Sequence, residues 1–424
     1  MSNVNVEIAA FVGLDWADQK HVVTLQEADG QRQRVTLDQT PEALQSWIQL
    51  LRNRFAGRAV AIAVEQKRGA LIYALMHIDF LRLYPVNPQT LAQFRKAFYP
   101  SGAKDDPVDA DLLLEILMTH RHHLRLWVPD DVLTRSIQLL TEDRRHLVDE
   151  RTALTNQLTA ALKMYFPQAL EWFGDLHTGR ACAFLQRWPS LQQLKRATRS
   201  AIRKFYQAQG YRGEDKREQL IVNIEKAQSL TEDAAVLLAG SMKVQALVTQ
   251  IPSLSESIER YDQQIAALFD QHDDSILFSS FPGAGAALAP RLLAAFGSDR
   301  GRFEFAAEMQ QLAGIAPVTE KSGNGIWIHW RLACSKFLRQ TFHEFANRSI
   351  LQSDWARAYY DQLRKRGKSH HAALRALAFK WIRIIFRCWK TRTPYDEAVY
   401  CKSLKLRRSP LAAELQADEK LALT

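Results

Sequence analysis

The chain has 424 residues, 47% of them hydrophobic and 24% charged, with a net charge of +10. That composition excludes a disordered protein and gives room for two or three globular domains. Met1-Ser2-Asn3-Val4-Asn5-Val6-Glu7 has no basic segment followed by an apolar one, and no later apolar run approaches the roughly 20 residues of a bilayer span, which predicts a cytoplasmic protein without membrane contact. Cys182, Cys334, Cys388 and Cys401 are scattered, so neither a disulfide framework nor a cysteine zinc site is expected.

In chain order, residues 9–15, 21–25 and 34–37 read as strands and 41–54 as a helix. Ala59-Val60-Ala61-Ile62-Ala63-Val64-Glu65 follows as a buried-type strand, then a helical stretch, a strand over 81–86 and an apolar helix over 112–118. The order βββαβαβα predicts a mixed sheet with packed helices over residues 1–125. From 126 to 274 the strand signals stop. Apolar residues at three- and four-residue spacing predict long helices over 137–165 and 218–269, packed on each other in coiled-coil fashion or on another subunit. Between them Trp172, Trp188, Tyr206 and Tyr211 interleave with basic residues. Residues 275–395 read as a second helical domain, and 396–424 as a basic, loosely ordered tail.

The positive charge is concentrated. Residues 187–217 carry +7 and residues 364–408 carry +12, which leaves −9 for the remainder. Basic segments on an otherwise acidic protein suit a phosphate backbone. Basic and aromatic residues together, with Lys195, Arg196, Arg199, Arg203 and Lys204 in the first segment, suit structured RNA with exposed bases.

Asp15 and Glu65 each end an apolar strand, where an open sheet presents functional groups. Asp106 and Asp109 are three apart and share a helix face. Taken alone, that pair is also a sound helix start, with Asp106 as N-cap, Pro107 at the first position and Asp109 favoured by the dipole. Capping does not account for Asp15 and Glu65. Four converging carboxylates call for hard divalent cations, Mg2+ or Mn2+, which stabilise attacking and leaving oxygens in phosphoryl transfer. His120, His122 and His123 have no cysteine nearby and are read as surface or phosphate-contacting residues. The turn Pro282-Gly283-Ala284-Gly285 before an apolar helix has the form of a hairpin that lets backbone N–H groups approach phosphate. Ser322, in Lys321-Ser322-Gly323, reads from its surroundings as a turn residue.

The strand ending in Asp15, the strand ending in Glu65 and Lys104-x-Asp106-x-x-Asp109-Ala110 resemble the Asp-Glu-Asp-Asp transposases, whose N-terminal domain is ribonuclease H- and resolvase-like. Phe281 to Gly285, Gly301-Arg302-Phe303, Gln311 to Pro317 and Lys321-Ser322-Gly323 follow in the order of the insertion-sequence family numbered one hundred and ten. The resemblance implies a transposase that cleaves and rejoins DNA, with Ser322 as nucleophile of a covalent intermediate and Asp15, Glu65, Asp106 and Asp109 holding the metal. It also implies donor and target DNA and a structured non-coding bridge RNA as partners, a homo-oligomer (dimer or tetramer), and a nucleoid-associated bacterial protein. Arg331, Lys336 and Arg339 are then candidate DNA contacts, His329 and His343 candidate helpers, and Ser335 the rival serine. The alternative is a structure-selective endonuclease of the Holliday-junction resolvase type, with the same carboxylates and water as nucleophile.

Overall fold

The structure, a computed structural model, describes residues 7–27, 30–65, 69–99, 106–211, 213–323 and 325–411. Lys104 and Asp105 lie outside the described residues, as does the side chain of Asp106. Two units are distinguished, Met1–Asp130 and Asp131–Thr424.

The first unit is built on β1 (Ile8–Asp15), β2 (Lys20–Glu27), β3 (Arg32–Asp38), α1 (Pro41–Arg54), β4 (Ala59–Val64), α2 (Ala70–Leu75), β5 (Leu81–Pro85), α3 (Pro88–Phe98) and α4 (Asp106–His120). The strand order is β3-β2-β1-β4-β5, with β1, β2 and β3 antiparallel and β1, β4 and β5 parallel. All six residues of β4 are buried because helices cover both faces of the sheet. Val12, Ile62 and Leu83 pack with Trp47 and Leu51 of α1 and Ile72 of α2. Ala61 and Ala63 point the other way, towards Leu91 of α3 and Leu113 and Leu117 of α4. The apolar runs therefore form the predicted mixed sheet, and β3, exposed along most of its length, is its edge.

The second unit begins with α5 (Val132–Tyr165), followed by the short helices α6 (Gln168–Trp172), α7 (Gly179–Arg187), α8 (Leu191–Lys195) and α9 (Arg199–Ala208). Then come α10 (Glu214–Lys226) and α11 (Ala234–Asp270), so the helix expected over 218–269 is two helices. Asp233 caps α11 by accepting from the N–H groups of Ala235 and Val236. Helices α5 and α11 are antiparallel and in constant register: Thr134 meets His272 (2.9 Å), Arg144 holds Asp262 (2.5 and 2.9 Å), Arg151 reaches Ser255 (3.4 Å), and Tyr165 packs on Gly240. A Cβ at Gly240 would lie 2.6 Å from the Tyr165 ring, so only glycine admits this approach. Asp131 caps α5, accepting from the Thr134 N–H (2.8 Å) and from the Thr134 and Ser298 hydroxyls.

Contrary to the sequence reading, α11 contains one stretch long and apolar enough to cross a membrane by length and composition. Its Val244, Leu247, Val248 and Ile251 are buried among Leu158, Leu162, Phe184 and Leu185. The aromatic residues read together with the basic ones as suited to structured RNA are core as well. Trp188 and Tyr206 are buried in the same cluster, with Trp172 and Tyr211 packed against it.

The remaining elements are α12 (Ser275–Ser279), α13 (Gly285–Phe296), α14 (Ala306–Leu312), β6 (Val318–Ser322), β7 (Gly325–His329), α15 (Lys336–Ser349), α16 (Asp354–Lys365), α17 (His370–Thr391) and α18 (Glu397–Leu406). Phe278, Phe296, Phe342, Trp355, Trp381 and Trp389 fill their core, which also takes in Ile137 of α5 and Phe269 of α11. The domain is not wholly helical, since β6 and β7 form a two-stranded hairpin. Nor is the start of the tail loose: α18 is formed and Leu404 and Leu411 are buried in that core.

Candidate active site

The edge of the sheet in the first unit follows from its register. Leu14 of β1 pairs with Val64 of β4 in parallel, so Asp15 and Glu65 stand next to each other in sequence step at the carboxyl ends of adjacent strands. Asp15 is buried and Glu65 half-buried. Helix α4 reaches this edge because residue 13 is glycine. A Cβ there would lie 2.0 Å from the Ala110 carbonyl oxygen and 2.5 Å from the Leu114 nitrogen, so the helix backbone rests directly on β1. The contact sets Ala110 against β1, and Asp109 beside it is only 1% exposed.

Asp109 is already engaged. Arg95 of α3 donates to both its oxygens, Nε at 2.6 Å and Nη2 at 2.5 Å, a bidentate pair of planar groups. Asp111, two residues on, accepts from the Thr24 hydroxyl (2.7 Å) and from Arg34 (2.5 Å), so it ties α4 to β2 and β3. Among the described residues no three His, Cys, Asp or Glu side chains close on one point in a way that would hold a metal ion. The rings of His120, His122 and His123 lie close and tilted to one another where α4 gives way to a 3-10 turn, with the His122 and His123 centroids 4.0 Å apart.

Arg95 was not legible as a site residue. Its signal was available: Leu91, four residues earlier, is buried, so Arg95 lies on the inward face of α3 and requires an acidic partner there.

In the second unit Ser322 ends β6, exposed, opposite Gly325 at the tip of the hairpin. Gly323 turns the chain with φ 55°. Directly opposed residues of a hairpin share a face, so Ser322, Glu320, Trp327 and His329 lie on one side and Lys321, Ile326 and Ile328 on the other. The Trp327 ring leans over Gly325, where a Cβ would lie 2.8 Å from it. On the serine face His329 Nε2 meets Glu320 Oε1 at 2.7 Å. Ser335 has a different employment, as N-cap of α15 accepting the Leu338 N–H (3.3 Å). Lys336 follows it, exposed, while Arg331 and Arg339 are half-buried. Gly283 makes a close approach, though to protein: its Cβ would meet the backbone of Arg348, and its N–H donates to Gln352 (2.8 Å).

The five basic residues of the middle segment are exposed on α8, its end and α9. Two of them are neutralised, Arg199 by Glu225 (2.6 and 2.5 Å) and Arg203 by Glu218 (2.8 and 2.7 Å), both on α10. Lys195, Arg196 and Lys204 remain as the charge this face presents.

The first unit is a mixed sheet with carboxylates at the carboxyl ends of two inner strands, and residues 12–167 match a transposase family model of the Asp-Glu-Asp-Asp type. Residues 275–361 match the family described as transposase IS116/IS110/IS902. The chain is 28% identical over 403 residues to the mini-circle transposase assigned to IS117 of Streptomyces coelicolor, covering 92% of this chain and 96% of that protein. It is 27% identical over 397 residues to the 42 kDa protein of insertion element IS900 of Mycobacterium paratuberculosis, covering 92% and 97%, and 27% identical over 325 residues to the 43.6 kDa protein of insertion element IS110 of Streptomyces coelicolor, covering 75% and 76%. The chain belongs to the IS110 family of transposases.

Proposed function

We propose that this transposase cuts and rejoins DNA through a phosphoserine linkage at Ser322, with Asp15, Glu65, Asp106 and Asp109 of a ribonuclease H-like domain as ligands for Mg2+ or Mn2+. The observation that carries the reading is the exposed Ser322 at the tip of a hairpin, with a hydroxyl that no capping bond employs. In the step, Ser322 Oγ forms a bond to phosphorus as the phosphorus–oxygen bond to the departing strand breaks. The serine proton passes to a base, and the departing oxygen takes up a proton from that base as the strand leaves as an alcohol. The His329–Glu320 pair is the titratable pair on the face that carries Ser322. Attack by a second strand's hydroxyl reverses the exchange and frees the serine, so rejoining needs no nucleotide cofactor.

The carboxylate edge fits a hard cation in its donor set, which is oxygen throughout. Its field already holds one positive group, since Arg95 sits on both oxygens of Asp109. A bound divalent ion would supply charge neutralisation at the phosphate, and Arg95 would have to release Asp109 first. Lys195, Arg196 and Lys204 are the residues through which a structured guide RNA would be held.

The test is a denaturing gel of the chain with RNA and DNA from its own element. Wild type is expected to show a DNA strand attached to protein, and Ser322→Ala to lose both that species and joined product. Cleavage to free ends by Ser322→Ala would make water the nucleophile and overturn the phosphoserine reading in favour of a resolvase-type nuclease.

A further inference from the structure

At the foot of the hairpin six residues collect, none of them acidic. Trp330 and Arg331 follow β7 directly; Arg339 and His343 are one turn apart on α15, and His371 and Arg375 one turn apart on α17. Helices α15 and α17 pack together in the third core through Phe342, Phe345, Leu374 and Trp381. The Arg375 guanidinium lies over the Trp330 ring. Arg339 is anchored by one nitrogen, its Nη2 donating to the Arg331 carbonyl and to Cys334 Sγ. Gly314, at φ 64°, makes room for this, since a Cβ there would stand 2.8 Å from that Nη2.

Five further nitrogens lack a partner. Nε of Arg331, Nε of Arg339, Nε2 of His343 and both Nε and Nη2 of Arg375 are buried and make no hydrogen bond among the described residues. Buried donors left unpaired are costly, more so when charged, so this many in one place is unusual for a finished core. The electrostatics agree. Burial first, then the neighbouring Arg375, His371 and Arg339, hold His343 down to about 4, and burial and Arg339 lower Arg375. No carboxylate enters either balance.

We propose that Arg331, Arg339, His343 and Arg375 form a binding site for one backbone phosphate of a DNA strand that lies along the β6–β7 hairpin towards Ser322. A phosphate presents several acceptor oxygens to a converging set of donors, and it supplies the negative charge the cluster lacks. The site is not the scissile position. From the His329 end of the hairpin to the Ser322 end is four residue steps, about 14 Å at about 3.4 Å per residue. Along a duplex strand, at about 3.4 Å per nucleotide, that places the held phosphate about four nucleotides from the one at Ser322. This site rests on the reading that the chain acts on DNA at Ser322.

The experiment is fluorescence anisotropy of the full chain with a labelled DNA duplex, and separately a labelled RNA oligonucleotide, over a series of KCl concentrations. It is run for wild type, Arg375→Gln, Arg339→Gln and the double variant, with thermal melts of each protein alone. For the double variant we expect DNA affinity to fall at least tenfold and the slope of log affinity against log salt to flatten by about one to two ions. Arg375→Gln alone is expected to melt no lower than wild type, because the side chain it loses had unpaired donors and cationic neighbours. Unchanged DNA affinity and slope in the double variant would overturn the site while leaving the transposase chemistry standing, and so would a loss confined to the RNA. A lower melting temperature for Arg375→Gln with DNA binding intact would make its contact with Trp330 structural and likewise overturn it. Failure of wild type itself to bind DNA would bring down the reading of Ser322 along with the site.

Discussion

Arg95 of α3 and Asp109 of α4 face each other as two planar groups joined by two hydrogen bonds, and the carboxylate is 1% exposed. The arginine thus sits where a metal ligand is expected to present its oxygens. Removing it leaves a buried charge without a counter-charge, which costs about 3–5 kcal/mol. Arg95→Gln is therefore expected to melt well below wild type in EDTA, and Mg2+ or Mn2+ is expected to restore more stability to the variant than to wild type. Calorimetry with and without metal reads this directly. Equal, negligible metal effects on both proteins would remove Asp109 from the ligand set.

Gly13→Ala tests the contact that brings α4 to the edge. The added methyl would lie 2.0 Å from the Ala110 carbonyl oxygen, and backbone, unlike the end of a long side chain, yields only by moving the whole helix. Overpacking of this kind costs about 1–3 kcal/mol or more. Gly179→Ala is the control, with open space around its Cβ position, and is expected to change urea stability by less than about 0.5 kcal/mol. Equal midpoints for the two variants would contradict the close approach.

Asp131 gives a pH dependence. Burial alone would raise its carboxyl, but Ser298 and the hydroxyl and N–H of Thr134 hold it at about 2, with His272 nearby adding to the effect. A carboxylate lowered by folding stabilises the native state above the unfolded value of about 4 and loses that contribution as pH falls from there towards 2. Asp131→Ala is expected to lose about 1 kcal/mol at pH 7, the worth of an N-cap, and to lose less than wild type when the pH is taken from 5 to 3. Chemical denaturation at the three pH values measures it.

The middle segment makes a prediction the sequence alone does not. Arg199 and Arg203 are each held by a glutamate on α10, whereas Lys195, Arg196 and Lys204 are exposed on the same part of the lobe. Reversing the latter three to Glu is expected to weaken RNA binding several-fold more than reversing the two arginines, measured by filter binding at fixed salt. An effect of equal size would mean that the α10 glutamates are displaced by RNA. The exposed pairs themselves contribute little to stability, because water screens them.

The parts of this fold that were readable are those in which local pattern and burial coincide. The run Ala59 to Val64 is apolar because β4 is covered on both faces, and Pro41 to Arg54 is bounded by Thr40 as cap and by the turn at Ala56 and Gly57. Asp15 and Glu65 stood out because an acid ending such a run has no packing reason to be there. The β6–β7 hairpin did not stand out. Its first strand is Val-Thr-Glu-Lys-Ser, exposed after Val318, and Ile326 and Ile328 alternate with Trp327 and His329 without a core to face. The aromatic residues among the basic ones were misread for a related reason. Spacing reports which residues share a face, not whether that face looks inward, and Trp188 and Tyr206 look inward. The cluster at the hairpin foot comes from α15 and α17 and the strand end together, and no spacing within one element announces it.

The unbroken register of α5 against α11 has a consequence of scale. From Thr134 and His272 at one end to Tyr165 and Gly240 at the other, the pair has no slipped turn, even past Pro252. At about 1.5 Å per residue it is a strut about 46 Å long. The lobe of α6 to α10 grows from its far end and the lobe bearing Ser322 from its near end, so the strut works as a gauge. One nucleic acid that touches both ends must extend over at least about thirteen base pairs at about 3.4 Å each. Lengthening both arms by matched heptads would move that minimum upward by about 10 Å, or three base pairs, for each heptad added.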